Sequence, residues 1–177
     1  SILDDINALD TQPAPGFTQH WRAPTEFLFG QNDTLGELAV GAQYIRLVDL
    51  STWWMVEATN TESPFKEQMT MFWMDHFVTS FENHEDAHLT AQKFQTLRDT
   101  MGGSFRDMLA AQLRDPAMLV YLNNVENTAE APNENLGREL LELFTLGQGR
   151  GYTEQDIREV SRALTGNSLE DSTGQFM

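Results

Sequence analysis

The chain lacks cysteine, has very little lysine and contains no long apolar run. Without cysteine it has no thiol chemistry, no cysteine-ligated zinc and no disulfide framework. Lys66 and Lys93 are the two lysines beside nine arginines, and 27 acidic residues bring the formal net charge to −16. This acidic excess predicts a surface that stays hydrated in salt, and it argues against nucleic-acid binding, which needs a basic footprint. An acidic surface that binds a cationic partner is the alternative interpretation.

Targeting and membrane signals are also missing from the sequence. No stretch of about 18 apolar residues is present, so we expect no membrane span. No basic segment precedes an apolar one, so no signal peptide is visible. The first residue is Ser1 rather than Met, and a processed N-terminus is the interpretation that this suggests.

The residues that are present predict a succession of helices. Two predicted helix starts have a capping residue followed by proline, at Ser63-Pro64 and Asp115-Pro116. Two others have a hydroxyl residue with aspartate three residues later, at Ser104/Asp107 and Thr153/Asp156. No segment has the alternation of a strand. The sequence predicts an all-α protein, an irregular multi-helix bundle over residues 34–177 with a loosely structured N-terminal arm over residues 1–33.

Four predicted helices matter most for function. The first runs from Thr34 to about Trp54. The second runs from Pro64 to about Ser80, and because it is apolar nearly all round we expect it to be buried. A third runs from about Glu85 to Met101, and a fourth from Asn133 to Gly147.

The sharpest local motif is His84-Glu85-Asp86-Ala87-His88, an HExxH sequence. On a continuous helix the two histidines face one zinc ion while the glutamate activates water. The charged residues around the motif favour the alternative, two partly exposed histidines at a solvated helix end.

His76 falls on the apolar side of its predicted helix. A lone histidine there is more often a core residue bonded to a carbonyl or carboxylate than a ligand. Asp75, on the adjacent face, is the other candidate for a buried polar contact.

The predicted helix from Asn133 to Gly147 carries the most charge. Three of its residues, Glu134, Arg138 and Glu142, are spaced four apart and predict an ion-pair ladder. Glu139 lies at the edge of the apolar arc and needs a partner. We therefore expect a solvated ladder with one rim glutamate, or alternatively a buried network in which Arg138 and Glu139 join His76 or Arg162.

Three segments together resemble the bacterial family called domain of unknown function 1800. They are Met69 to Phe77, the pair Phe105–Leu109 and Asp115–Leu122, and the run Pro132–Asn135, Arg138–Gly147, Tyr152–Glu154 and Arg162–Gly166. The likeness covers about residues 45–166. It marks as family-motif residues Trp73, Asp75, His76, Asn133, Glu134, Asn135, Arg138, Glu139 and Glu142.

The resemblance implies a bacterial, often exported protein without an established activity. Family members run beyond Met177, so the resemblance implies the N-terminal part of a longer protein in an extracytoplasmic location. The family usually has histidine where this chain has Met74, which weakens a paired-histidine site here.

Two functional hypotheses follow. The first is a non-catalytic helical module that packs against a protein partner or the missing C-terminal region, using the apolar helix and the aromatic side chains of Trp21, Trp53 and Trp54. The second is a metal-dependent hydrolase with His84 and His88 as ligands and Glu85 as base, or with a site centred on His76, Glu139 and Glu142. The sequence requires no cofactor under the first hypothesis and zinc, iron or manganese under the second.

Overall fold

The structure, a computed structural model, describes residues 34–169. This part of the chain consists of helices and turns without a β-strand, and the predicted all-α class is confirmed. The predicted arm over residues 1–33 and Trp21 lie outside the described residues. The helices are α1 (Thr34–Asn60), α2 (Pro64–His76), α3 (Phe81–His84), α4 (Ala87–Thr100), α5 (Phe105–Gln112), α6 (Pro116–Tyr121), a 3-10 turn (Asn124–Glu126), α7 (Asn135–Glu139), a π-helix (Leu140–Thr145) and α8 (Glu154–Ala163).

Side-chain caps begin three of these helices where the sequence predicts them. The Ser104 hydroxyl accepts a hydrogen bond from the Asp107 N–H at 3.1 Å, and the Asp115 carboxylate accepts one three residues on at 3.0 Å. At α8 the Thr153 and Asp156 side chains each accept from the other's backbone N–H. These bonds satisfy amide groups that a helix start leaves without intrahelical partners.

The main core lies where α2 ends against α4, α5, α6 and the π-helix. It is built from eight buried apolar side chains, Phe77, Leu97, Met108, Met118, Leu119, Leu122, Leu136 and Phe144. No helix within residues 34–169 is long and apolar enough to cross a membrane.

Helix α1 packs on this bundle along one side. Leu50 is buried, and the half-buried Trp53 and Trp54 rings meet the Phe94 ring of α4 edge-on, at centroid distances of 6.1 and 6.4 Å. The helix runs six residues past the predicted Trp54 and ends at Asn60.

Helix α2 differs from its prediction in length and in burial. It ends at His76 rather than near Ser80, and Phe77 is already outside the helix. Several of its apolar side chains are exposed, among them Phe72, whereas the charged Glu67 is buried. The reason is tertiary: the Arg98 guanidinium of α4 reaches Glu67, so the polar side of α2 faces inward.

The predicted helix from Glu85 begins instead at Ala87. Glu85 adopts a left-handed backbone conformation with φ of +48°, and Asp86 is extended. The Asp86 carboxylate then caps α4 by accepting from the His88 N–H at 2.8 Å. A short polar run is thus a helix boundary, since aspartate stabilises a helix start better than a helix interior.

The helix predicted from Asn133 to Gly147 changes type in the middle. From Leu140 to Thr145 the turns widen to a π-helix, and the Leu146 N–H bonds to the Leu141 carbonyl five residues back, at 3.0 Å. The wider turns change which side chains face the core. Leu143 is therefore exposed, while Phe144 is buried.

Candidate functional site

His76, the last residue of α2, is surrounded by aromatic rings. Trp73 and Phe77 meet its imidazole edge-on at centroid distances of 5.5 and 4.7 Å, and Phe72 stacks on it at 6.4 Å. Phe105 of α5 lies on a further side at 6.4 Å. Such rings exclude water and present faces that attract polarised groups.

The imidazole of His76 also tethers two helices. Its Nε2 lies 3.3 Å from the Phe144 carbonyl oxygen, and in the tautomer with the proton on Nε2 it donates to that oxygen. Carbonyls near a helix end lack intrahelical partners, so this bond satisfies one of them. A bond to a carbonyl is what the sequence led us to expect of a core histidine, and it stands in place of the alternative network with Glu139.

Arg138 is the centre of a charged network on the surface. Its guanidinium contacts Glu134 at 3.3 Å and Glu142 at 3.4 Å on its own helical segment, which confirms the predicted ladder. It also donates to Glu154 of α8 at 2.9 Å, and these hydrogen bonds raise the pKa of Arg138 and lower that of Glu154. The alternative network with Arg162 does not form, because that side chain pairs with Glu159 on α8.

Glu139 differs electrostatically from the rest of the ladder. Partial burial raises the pKa of its carboxyl, the nearby Glu142 carboxylate raises it further, and Arg138 partly opposes both. A half-buried carboxyl with a raised pKa is suited to hold or transfer a proton.

The HExxH residues lie on two helices rather than one. His84 ends α3 and His88 is in the first turn of α4, with Glu85 and Asp86 forming the break between them. The one-turn spacing on which the zinc interpretation depends is therefore interrupted.

His84 is buried, with 1% of its surface exposed, so the expectation of a solvated histidine was wrong. Its Nδ1 accepts a hydrogen bond from the Asp86 N–H at 3.2 Å. Burial, and secondly the charge of Lys93, lowers the pKa of His84 to about 4. The imidazole is neutral at pH 7. Across residues 34–169 no three histidine or acidic side chains are grouped so that they could hold a metal ion.

Lys93 lies fully buried close to His84 and Asp115. Burial lowers the pKa of its ammonium to about 8, and the Asp115 carboxylate opposes that shift. The Lys93 Nζ finds no hydrogen-bond partner in the described part of the chain, and neither do the amide atoms of the buried Gln112. The Asp115 carboxyl, whose own pKa burial raises, serves mainly as the cap of α6.

A buried ion pair joins α2 to α4, and the sequence analysis missed it. Arg98 donates to Glu67 Oε1 through both Nη2 at 2.5 Å and Nε at 3.2 Å, and Trp54 donates to the other carboxylate oxygen at 3.1 Å. The signal for it was a glutamate and an arginine placed among apolar residues of two helices. Paired charges are needed there, because a lone charge inside a protein is costly.

Two buried asparagines in the connector before α7 were also missed. Asn127 donates to the Ser161 carbonyl of α8 at 2.9 Å and accepts from the Asn133 N–H at 3.0 Å, while Asn124 donates to the Leu164 carbonyl at 3.2 Å. The motif residue Asn133 in turn accepts from the Asn135 N–H. The motif asparagines therefore shape a turn that sets α7 against α8.

Asp75 is exposed, so its interpretation as a buried polar contact was wrong. Trp73 is half-buried, and its indole N–H is unpartnered within the described residues. The motif as a whole holds helices together through bonds between backbone and side chains. Among the side chains that it leaves exposed are two aromatic rings, Phe72 at 55% and Phe105 at 41%.

Comparison with known proteins places the chain in one family. The chain matches no curated protein and no solved structure. The family model described as "protein of unknown function (DUF1800)" matches residues 4–177, a longer stretch than the motifs alone indicate. The chain therefore belongs to the DUF1800 family.

Proposed function

We propose that the chain is a non-catalytic helical module that binds a protein partner through the surface formed by Phe72, Trp73, His76 and Phe105, called here the aromatic surface. Exposed aromatic rings that stand on a rigid core are the groups that contribute most to protein–protein affinity. The Trp53 and Trp54 side chains of the original hypothesis are half-buried against Phe94, so they do not belong to this surface.

One observation carries the proposal. In a chain of net charge −16, two phenylalanine rings of α2 and α5 remain about half exposed, and both lie within 6.4 Å of the same imidazole. Exposed apolar patches of this kind mark sites of protein interaction. The partner that fits is an apolar segment of another polypeptide, in the extracytoplasmic location that the resemblance implies.

A photo-crosslinking residue at position 71, next to Phe72, tests this in cells of the source. The crosslinked protein is then purified and titrated against the intact chain. We expect Phe72→Ser and Phe105→Ser each to raise the Kd at least tenfold. Leu146→Ser, a matched exposed apolar site elsewhere, leaves the Kd unchanged. Equal affinity of all three variants, or no protein crosslink, overturns the proposal.

The alternative proposal is a metal-dependent hydrolase that uses His84, His88 and Glu85, or His76 with Glu139 and Glu142. Two observations favour it. The His84 imidazole is neutral at pH 7, as a metal ligand must be, and the buried His88 Nδ1 has no hydrogen-bond partner within the described residues. Elemental analysis for zinc, iron and manganese tests it. A stoichiometric metal that His84→Asn abolishes supports it, and a metal content near zero with no thermal shift on metal addition overturns it.

A further inference from the structure

Helix α1 has an outer face unlike the rest of the surface. Leu50 marks its buried side, and half a turn round the helix the large side chains of Ile45, Val48 and Met55 are 66%, 62% and 62% exposed. Tyr44 and Val56 on their flanks are exposed as well. An exposed helix face in a water-soluble protein normally carries charged side chains.

Charge is missing from this outer face although the chain is rich in it. Between Gly41 and Thr59 the charged residues are Arg46, Asp49 and Glu57. At about 100° of rotation per residue, Arg46 and Glu57 fall on the side of Leu50, and Asp49 falls at the edge of the outer face.

The spacing of the outer residues is that of a helix-pairing seam. Steps of four and three alternate along it, at Gly41, Ile45, Val48, Thr52, Met55 and Thr59. This repeat places one residue of every turn in a single line that faces a partner helix. The line covers about 28 Å, at about 1.5 Å per residue. We call it the α1 seam.

Two hydroxyl groups of this helix donate to its own backbone. The Thr59 hydroxyl donates to the Met55 carbonyl at 2.9 Å, and the Ser51 hydroxyl donates to the Leu47 carbonyl at 2.8 Å. Since their hydrogens are already used within the helix, these residues present small, nearly apolar surfaces. Small residues such as Gly41 also allow another helix to approach closely.

We propose that the α1 seam pairs with the α1 seam of a second copy of this chain, forming a two-fold dimer. A basic partner, which an acidic chain attracts elsewhere on its surface, finds no charge to meet along the seam. A second copy brings the same uncharged line, which is self-complementary as a two-fold interface requires. The surface is separate from the aromatic surface, and the dimer does not depend on the function proposed for it.

The size of the seam sets the expected strength. If the three large seam side chains and the flanking Tyr44 and Val56 each offer roughly 100 Å², about half of what a large side chain buries, two copies bury roughly 1,000 Å² in total. This lies at the low end for specific interfaces. We therefore expect a weak dimer that forms in the micromolar range.

Light scattering on size-exclusion fractions of the intact chain, from about 5 to 500 μM, tests the proposal. We expect the mass to rise from one to two copies. Val48→Asp raises the dimer Kd at least tenfold. The matched Leu143→Asp, at an equally exposed apolar site on the π-helix, leaves the Kd unchanged. Added salt tightens the dimer, because it screens the repulsion between two chains of charge −16.

Because the chain has no cysteine, single introduced thiols report the contact directly. Ile45→Cys crosslinks to itself in a parallel pair, and a mixture of Ile45→Cys with Met55→Cys crosslinks in an antiparallel pair; either result supports the seam. A monomer at every concentration overturns the proposal, as does a dimer that Val48→Asp does not weaken. A crosslink from position 48 to residues 1–33 of the same chain overturns it too.

Discussion

The protonation of His84 provides the sharpest test of the buried polar region between α3 and α4. The folded chain holds this imidazole at a pKa of about 4, against 6.5 for a free side chain, because burial and Lys93 both oppose its charge. Between these two values the unfolded chain binds a proton that the folded chain does not. Stability must therefore rise with pH across this window, and it must be lost as the pH falls.

The magnitude follows from the same two values. At about 1.36 kcal/mol per pKa unit, the gap corresponds to about 3 kcal/mol of unfolding free energy, most of it lost by pH 4. Asp86 acts in the opposite direction, because burial raises the pKa of its carboxyl. The comparison must therefore isolate His84 from the other titrating groups.

The variant His84→Asn provides that comparison. Its amide oxygen can accept the Asp86 N–H as Nδ1 does, and it has no proton to bind in this range. Urea unfolding of both proteins at pH 7, 6, 5 and 4 gives the difference in their unfolding free energies. We expect the difference to shrink by about 3 kcal/mol between pH 7 and pH 4. A constant difference, or an NMR titration of the His84 ring near 6.5, refutes the reasoning.

Three further predictions concern stability, each measured by urea unfolding. Arg98→Met leaves the Glu67 carboxylate buried without its ion-pair partner and should lower the free energy of unfolding by about 3–5 kcal/mol. Adding Glu67→Gln should recover part of this loss, and a double variant whose losses simply add would contradict the ion-pair account. Gly137→Ala places a Cβ 3.0 Å from the backbone nitrogen of Ser161 in α8 and should cost about 1–3 kcal/mol, whereas no loss would mean that α7 and α8 separate easily. Thr153→Ala removes half of the capping box of α8 and should cost about 1 kcal/mol, with Thr153→Ser as the control that retains the hydroxyl.

Some structural features of this protein depend only on neighbouring residues, and others depend on how the helices pack. Helix starts depend on a few neighbouring residues, and the caps at Ser104, Asp115 and Thr153 follow from the sequence because each acceptor reaches an amide two or three residues away. The ladder around Arg138 is local in the same way, since residues four apart on a helix are neighbours.

The candidate site was only partly predictable. That His76 lies on the apolar side of a helix follows from periodicity, but its bond to the Phe144 carbonyl joins residues 68 positions apart. The partner of Glu67 is 31 residues away. Pairing of this kind depends on how helices dock, and no local pattern specifies it.

By itself, then, the sequence determined the helical class, the capped helix starts and the family motif, because these depend on contacts within a few residues. The tertiary structure alone decided that α2 turns its charged side inward and that the last motif helix widens into π turns. It also decided which apolar residues remain exposed on α1. Burial depends on how all the helices pack together, so the sequence of one helix does not indicate which of its faces another helix will cover.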